Sequence, residues 1–98
     1  MLNFTSDQLF NCCTRFAPPD WSELVSLELG ACRTESQENG DEFTIGGLDR
    51  DKAEFFTVYA RDKEGYADAI TDIPKFFAGC LIMAELSRIS GLPASVVC

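Results

Sequence analysis

The sequence predicts a small α+β domain of two layers, in which an antiparallel sheet of roughly three to four strands carries an N-terminal helix and a long C-terminal helix on one face. Residues 54–61 alternate between apolar and polar side chains, as a half-buried strand does. Residues 62–65 have the composition of a short hairpin turn. Residues 73–90 are largely apolar and are followed by Gly91, which is typical of a long helix.

With 98 residues, the chain is long enough for one domain, residues 1–98, built around a single modest core. Its hydrophobic fraction of 46% is sufficient for a packed interior, so we expect a folded protein rather than a disordered one.

The first helix is predicted to begin after Thr5, because Gln8 can complete a capping box with Thr5 and Phe4 can pack on Leu9 as a hydrophobic staple. Apolar residues at spacings of three and four continue the pattern to Phe16, which gives a helix of about three turns. The two prolines that follow end it.

Alternation from Val25 to Cys32 predicts the first strand. Residues 34–41 are polar throughout and indicate an exposed loop. Phe43 and Ile45 predict a short second strand that stops at Gly46–Gly47.

The hairpin at residues 62–65 needs Gly65 in the left-handed conformation. After its second strand, Thr71 or Asp72 can cap the long helix, with Pro74 in the first turn where its missing N–H costs nothing. The helix is predicted to run to Ser90, with Gly91 as a left-handed C-cap.

The long helix is apolar on more sides than one sheet can cover. Ile73, Phe77, Cys80 and Ala84 define one face, whereas Ile82, Leu86 and Ile89 point largely the other way. Leaving such aliphatic side chains in water forgoes roughly 1.5 to 3 kcal/mol each. Either the first helix covers Ile82, Leu86 and Ile89, or they form an interface with a second copy or a protein partner, most simply as a homodimer.

A net charge of −8 with no basic cluster disfavours direct binding to nucleic acid or to an anionic membrane. The expected partner is a protein or a second copy of the chain. The densest acidic patch could steer a basic partner, although a purely solubilising role is the simplest interpretation. It consists of Glu35, Glu38, Asp41, Glu42, Asp49 and Asp51.

Catalytic chemistry has little support in this composition. The chain has no histidine, which removes the commonest general base and the usual nucleophile triads. It also has no Cys-x-x-Cys pair, and the carboxylates at Asp49, Asp51 and Glu54 lack the glycine and ligand count of a calcium loop. We therefore predict no catalytic residue, no metal site and no cofactor.

Five cysteines leave one unpaired in any disulfide scheme, and Cys12 and Cys13 are adjacent, so reduced thiols are expected. The start of the chain has no basic residue, and Asp7 and Gln8 interrupt its first apolar run, as in a protein without a signal peptide. A cytoplasmic location is the resulting expectation.

Tyr59, Arg61 and Tyr66 lie near the predicted hairpin tip and are of the residue types that dominate interface energetics. The leading hypothesis is a non-enzymatic interaction module that self-associates or binds a protein partner through these residues and the exposed helix face. An alternative is an acidic accessory-gene product that mimics nucleic acid and inhibits a basic nucleic-acid-binding protein. A small enzyme using carboxylate acid–base chemistry is a further alternative, and Asp68, in mid-strand, is its candidate for a buried carboxylate.

Overall fold

The computed structural model describes residues 3–98 of the chain. Met1 and Leu2, to which the predictions of one domain and of no signal peptide also apply, lie outside the described residues.

An antiparallel sheet with a long C-terminal helix and a short N-terminal helix confirms the predicted α+β class. The elements are α1 (Ser6–Leu9), β1 (Leu24–Ser36), β2 (Glu42–Leu48), β3 (Phe55–Asp62), β4 (Ala67–Ile73), α2 (Phe76–Ser90) and β5 (Ala94–Val96). The strands run in the order β2-β1-β3-β4, and the short β5, which the sequence did not predict, pairs parallel with β1 at residues 27–29.

The core lies between one sheet face and α2. Successive side chains of a strand point to opposite faces of the sheet, so alternate residues of β1 face α2. The residues of β3 that pair with them point to the same side. The buried set comprises Leu27, Leu29 and Ala31 from β1, Phe56, Val58 and Ala60 from β3, Ile70 and Ile73 from β4, and Gly79, Ile82, Met83 and Leu86 from α2.

The side of α2 that we expected to remain outside the sheet contact is the buried one. Ile82 and Leu86 are only 5% and 0% exposed, whereas Phe77 on the opposite side is 73% exposed. The prediction that Ile82 and Leu86 form an intermolecular interface is therefore wrong. Residues 79, 82, 83 and 86 form the continuous stripe at spacings of three and four that packs best on a sheet.

The first helix is much shorter than predicted. The capping box of Thr5 and Gln8 is present, but α1 has only four residues. The chain then turns away, with positive φ angles of 57° at Arg15 and 54° at Phe16. Apolar residues at helical spacing do not form a longer helix here, because the segment instead hydrogen-bonds to the edge of the sheet.

This pairing also explains why α2 begins later than predicted. Thr71 and Asp72 belong to β4, and α2 starts at Phe76 with Lys75 as its N-cap. Asn11 accepts from the Asp72 N–H at 2.7 Å and donates to the Asp72 carbonyl at 2.9 Å. The Cys12 N–H donates to the Ile70 carbonyl at 3.1 Å. The N-terminal segment thus covers the outer edge of β4.

Two predicted glycine turns are confirmed. Gly65 has a φ of 90° in the β3–β4 hairpin, and Gly91 has a φ of 76° at the C-cap of α2. Among residues 3–98, no helix has the length and apolar character needed to cross a membrane.

The β1–β2 hairpin is longer than predicted, because β1 continues to Ser36 and Gly46–Gly47 lies within β2. The register shifts opposite these glycines, so they form a bulge instead of ending the strand. Pairing of β1 with β3 stops at Cys32. Residues 33–45 consequently extend as a two-stranded hairpin, which we call the acidic ribbon.

Candidate interaction surface

The sheet face opposite α2, which we call the open face, carries Tyr59 near its centre. Tyr59 alternates with Val58 and Ala60, which are fully buried against α2. Across the strands Tyr59 pairs with Glu28 and with Ala69. Ala69 is exposed, so this part of the face is accessible to a partner.

The Tyr59 ring can lie against the sheet because two neighbouring positions have no side chain. A Cβ atom added at Gly30 would lie 3.3 Å from Tyr59 Cε2, and one added at Gly46 would lie 3.3 Å from the Tyr59 hydroxyl. Both distances are tighter than ordinary contacts. The glycines therefore define the position of the ring.

A chain of polar side chains runs under Tyr59. The Tyr59 hydroxyl lies 3.1 Å from Cys32 Sγ, which lies 3.4 Å from Thr57 Oγ1. Thr57 in turn donates to Asp72 Oδ1 at 2.6 Å. Cys32 and Thr57 are buried, so the chain connects an accessible hydroxyl to a carboxylate through the interior of the sheet.

The direction of donation in this series of hydrogen bonds follows from the number of protons available. A carboxylate only accepts, so Thr57 uses its one hydroxyl proton toward Asp72. The thiol of Cys32 must then donate to Thr57, and the Tyr59 hydroxyl must donate to Cys32. Burial and this hydrogen bond to Cys32 raise the pKa of Tyr59 to about 12. Tyr59 is therefore a neutral hydrogen-bond donor and not a base at neutral pH.

Arg61 is held in place at one side of Tyr59. Its Nε donates to Glu28 Oε1 at 2.6 Å, and its Nη1 donates to the Gly65 carbonyl at 2.8 Å. These contacts use two of its five N–H donors and leave the rest of the guanidinium available for a partner.

Tyr59 and Arg61 both line a groove of ≈ 250 Å³ on the open face. Its wall next to β2 is formed by backbone, because Gly46 and Gly47 have no side chains. Its remaining lining residues are Glu28, Gly30, Ala67 and Val97. The groove thus combines an aromatic ring, an apolar wall and one fixed ion pair.

The chain has no match among family models, curated proteins or solved structures.

Of the predicted interface residues, Tyr59 and Arg61 are brought together in the groove. Tyr66 is 72% exposed beside the β3–β4 turn and does not line it. Ile89 is exposed on α2. Ile82 and Leu86 are removed from any surface by their burial.

The predicted acidic patch is divided in space. Glu35, Glu38, Asp41 and Glu42 lie on the acidic ribbon, where all but the partly buried Glu35 are exposed. Asp49 is the N-cap of the short 3₁₀ turn at residues 50–52, and Asp51 lies within that turn. Asp68 is exposed, so it lacks the burial on which its candidacy as an acid–base residue depended.

The polar chain that leads from the buried Cys32 and Thr57 to the exposed Asp72 was not predicted from the sequence. Alternation within β1 and β3 already placed Cys32 and Thr57 on the side away from the core, which was the available signal. The sequence pattern predicted Thr71 or Asp72 as the cap of the long helix, so it gave no indication that Asp72 lies beside Thr57.

All five cysteines are free, and the raised pKa values of Cys12 and Cys13 disfavour their nucleophilic thiolate forms at neutral pH. Burial, followed by the nearby charge of Asp72, raises the pKa of Cys12 to about 12. Burial also raises the pKa of Cys13. Within the described part of the chain, no group of three or more cysteine or acidic side chains is arranged to hold a metal ion.

Proposed function

We propose that this protein is a non-enzymatic interaction module that binds a protein partner through the groove on its open face. The observation that carries this proposal is the placement of Tyr59 beside Arg61, with both side chains held by hydrogen bonds while the groove remains open. A side chain that is already fixed loses little conformational entropy on binding. Tyrosine and arginine are also the residue types most often found at interface hot spots.

The charge favours a partner with a basic contact surface. The net charge is −8, and it would speed the approach of a basic protein while repelling a second copy of the chain. We therefore favour a different protein over self-association as the physiological partner.

The chemistry of the groove favours binding over catalysis. Tyr59 stays protonated far above neutral pH, and Arg61, the one cation among the described lining residues of the groove, is paired with Glu28. This is the pattern of a recognition surface, in which groups are fixed and neutralised. It contrasts with an acid–base site, in which a group is held near its titration point.

A cytoplasmic location belongs to the same proposal. An odd number of cysteines that includes an adjacent pair suits a compartment in which thiols stay reduced.

The proposal is tested with two matched substitutions in affinity capture from cell extract. Ala67→Arg introduces a long side chain into the groove, whereas Ala84→Arg introduces the same side chain on exposed α2. Both positions are exposed, so both variants should keep the fold. We expect proteins captured by the wild type to be captured by Ala84→Arg and lost with Ala67→Arg. Equal capture by the two variants would contradict a role for the groove.

A nucleic-acid-mimicking inhibitor is a second candidate, favoured by the projection of Glu38, Asp41 and Glu42 from the body of the sheet on the acidic ribbon. It predicts that a captured basic protein is released by duplex DNA or RNA. Release should persist in Ala67→Arg, because the ribbon and not the groove would make the contact.

A further inference from the structure

The outer edge of β2 has backbone groups that point away from the sheet. The Gln37 N–H donates to the Asp41 carbonyl at 2.7 Å, which sets the pairing pattern of the hairpin. Because the pattern alternates, the backbone groups of Phe43 and Ile45 face β1, whereas those of Glu42 and Thr44 face outward. β2 therefore presents a row of donors and acceptors.

No hydrogen bond within residues 3–98 occupies this outward row. The opposite edge of the sheet is covered, because Asn11 and Cys12 hydrogen-bond to the backbone of β4. The strand also lacks the proline and lysine residues that commonly protect an edge from pairing. The bulge at Gly46–Gly47 confines regular pairing to the part of β2 before it, and the acidic charge limits which strand can add there.

The charges along this edge select a basic strand. Glu38, Asp41 and Glu42 lie at or beside the edge, and no basic group of residues 3–98 is within salt-bridge distance of them. The one base on the ribbon, Arg33, already pairs with Glu35 at 2.5 Å. A second copy would bring the same acids against this edge, whereas a strand with lysine or arginine would neutralise them.

The edge is also continuous with the groove. Gly46 lies in β2, lines the groove and is so close to the Tyr59 hydroxyl that an added Cβ would lie 3.3 Å from it. A strand added beside β2 can thus extend a side chain across Gly46 and Gly47 toward Tyr59.

We propose that β2 binds an extended basic segment of a protein partner by β-strand addition. Main-chain hydrogen bonds to Glu42 and Thr44 supply the affinity, and lysine or arginine side chains opposite the acidic ribbon supply the specificity. This inference rests on the proposed function and assigns the chemistry and conformation of the partner.

The test uses a synthetic peptide of roughly six residues, the length of an ordinary strand, that alternates lysine and valine. Binding is measured by fluorescence anisotropy with reductant present. Thr44→Pro removes an outward N–H and leaves the bonds to β1 intact, because edge strands tolerate proline at such positions. Thr44→Val is the matched control, since it keeps the N–H and the strand preference.

We expect the wild type and Thr44→Val to bind the peptide alike, and Thr44→Pro to bind at least about tenfold more weakly. The same peptide with glutamate in place of lysine should not bind. Equal affinity of Thr44→Pro and Thr44→Val would overturn strand addition. Circular dichroism establishes that Thr44→Pro is folded.

A second measurement does not depend on any variant. The lysine–valine peptide is N-methylated at every residue, which removes the main-chain donors of both of its edges and keeps every charge. Undiminished binding of this peptide to the wild type would show a purely electrostatic contact and overturn the inference. So would a wild-type dimer that Thr44→Pro dissociates, because a second copy would then occupy the edge.

Failure of this inference can be told apart from failure of the proposed function. If Ala67→Arg abolishes capture from extract and Thr44→Pro does not, the groove binds a partner without strand addition. If neither variant affects capture, the groove and the edge are both excluded.

Discussion

The hydroxyl oxygen of Tyr59 lies 3.1 Å from Sγ of Cys32, a thiol that is completely buried. A single aromatic side chain therefore both lines the groove and shields the polar chain that leads to Asp72. Because burial and this hydrogen bond together raise the pKa of Tyr59, its titration reports whether the groove is in the described arrangement.

The first prediction concerns this titration. In a Tyr66→Phe variant Tyr59 is the only tyrosine, because the chain has two. The ultraviolet absorbance of tyrosinate should then appear with a midpoint near pH 12, about two units above that of an ordinary tyrosine. A Cys32→Ala change in the same background should lower the midpoint, since it removes the hydrogen-bond acceptor. A midpoint near pH 10 in both proteins would contradict the described contact.

The free energy of unfolding should also depend on the hydroxyl proton of Tyr59. The folded state holds this proton more tightly than the unfolded chain, so the contribution of Tyr59 to stability is complete below about pH 10 and is lost as the pH rises toward 12. Tyr59 is partly exposed, so we expect a loss of roughly 1 kcal/mol after allowance for solvent screening. Urea denaturation of wild type and Tyr59→Phe over this pH range measures it.

The second prediction concerns the two sides of α2. Leu86→Asp places a charge in the core and should cost about 4 kcal/mol or more, a large part of the stability of a small domain. Phe77→Asp, on the exposed side, should change the free energy of unfolding by no more than about 0.5 kcal/mol. Thermal unfolding of both variants measures the difference. A folded Leu86→Asp protein that has only changed its oligomeric state would restore the interface interpretation.

Local patterns predicted the fold class because several of its elements are determined by nearby residues. Alternation identified β1 and β3, and the left-handed turns at Gly65 and Gly91 were evident from residue type alone. The extent of α1 and the start of α2 were mispredicted for one reason. The Asn11 N–H donates to the Thr71 hydroxyl across 60 positions of sequence, and such a contact leaves no local signal.

The candidate site was only partly predictable. Residue type identified Tyr59 and Arg61, and their shared strand face followed from alternation. The groove itself depends on Gly30, Gly46 and Val97, which come from separate strands and the C-terminal segment. The side of α2 that packs inward was ambiguous because apolar residues surround much of the helix, so only tertiary packing determined it.

The third prediction concerns a hydrogen bond between the N-terminal segment and β4. The buried hydroxyl of Thr71 donates to the Gln8 carbonyl at 2.7 Å. Thr71→Val keeps the shape but leaves this carbonyl without its partner, so it should destabilise the protein by about 1 to 2 kcal/mol. Thr44→Val makes the same change on the exposed edge of β2 and should have little effect. Urea denaturation of the pair tests this; equal stabilities would show that the hydroxyl contributes nothing.

The fourth prediction concerns the glycine beneath the tyrosine ring. Gly30→Ala introduces a Cβ atom 3.3 Å from Tyr59 Cε2, and the ring must move outward to relieve that contact. The movement lengthens the hydrogen bond to Cys32 and exposes the hydroxyl, so the pKa of Tyr59 should fall from about 12 toward its ordinary value. The measurement is the tyrosinate titration in the Tyr66→Phe background.

Stability provides the control for this change. Alanine is favoured over glycine in a strand by about 0.5 to 1 kcal/mol, and in the wild type the displaced ring opposes that gain. When Tyr59 is first replaced by alanine, Gly30→Ala should therefore become stabilising, because the ring is no longer present to be displaced. If Gly30→Ala has the same effect with and without Tyr59, the two residues are not in contact, and the position of the ring is determined by Cys32 alone.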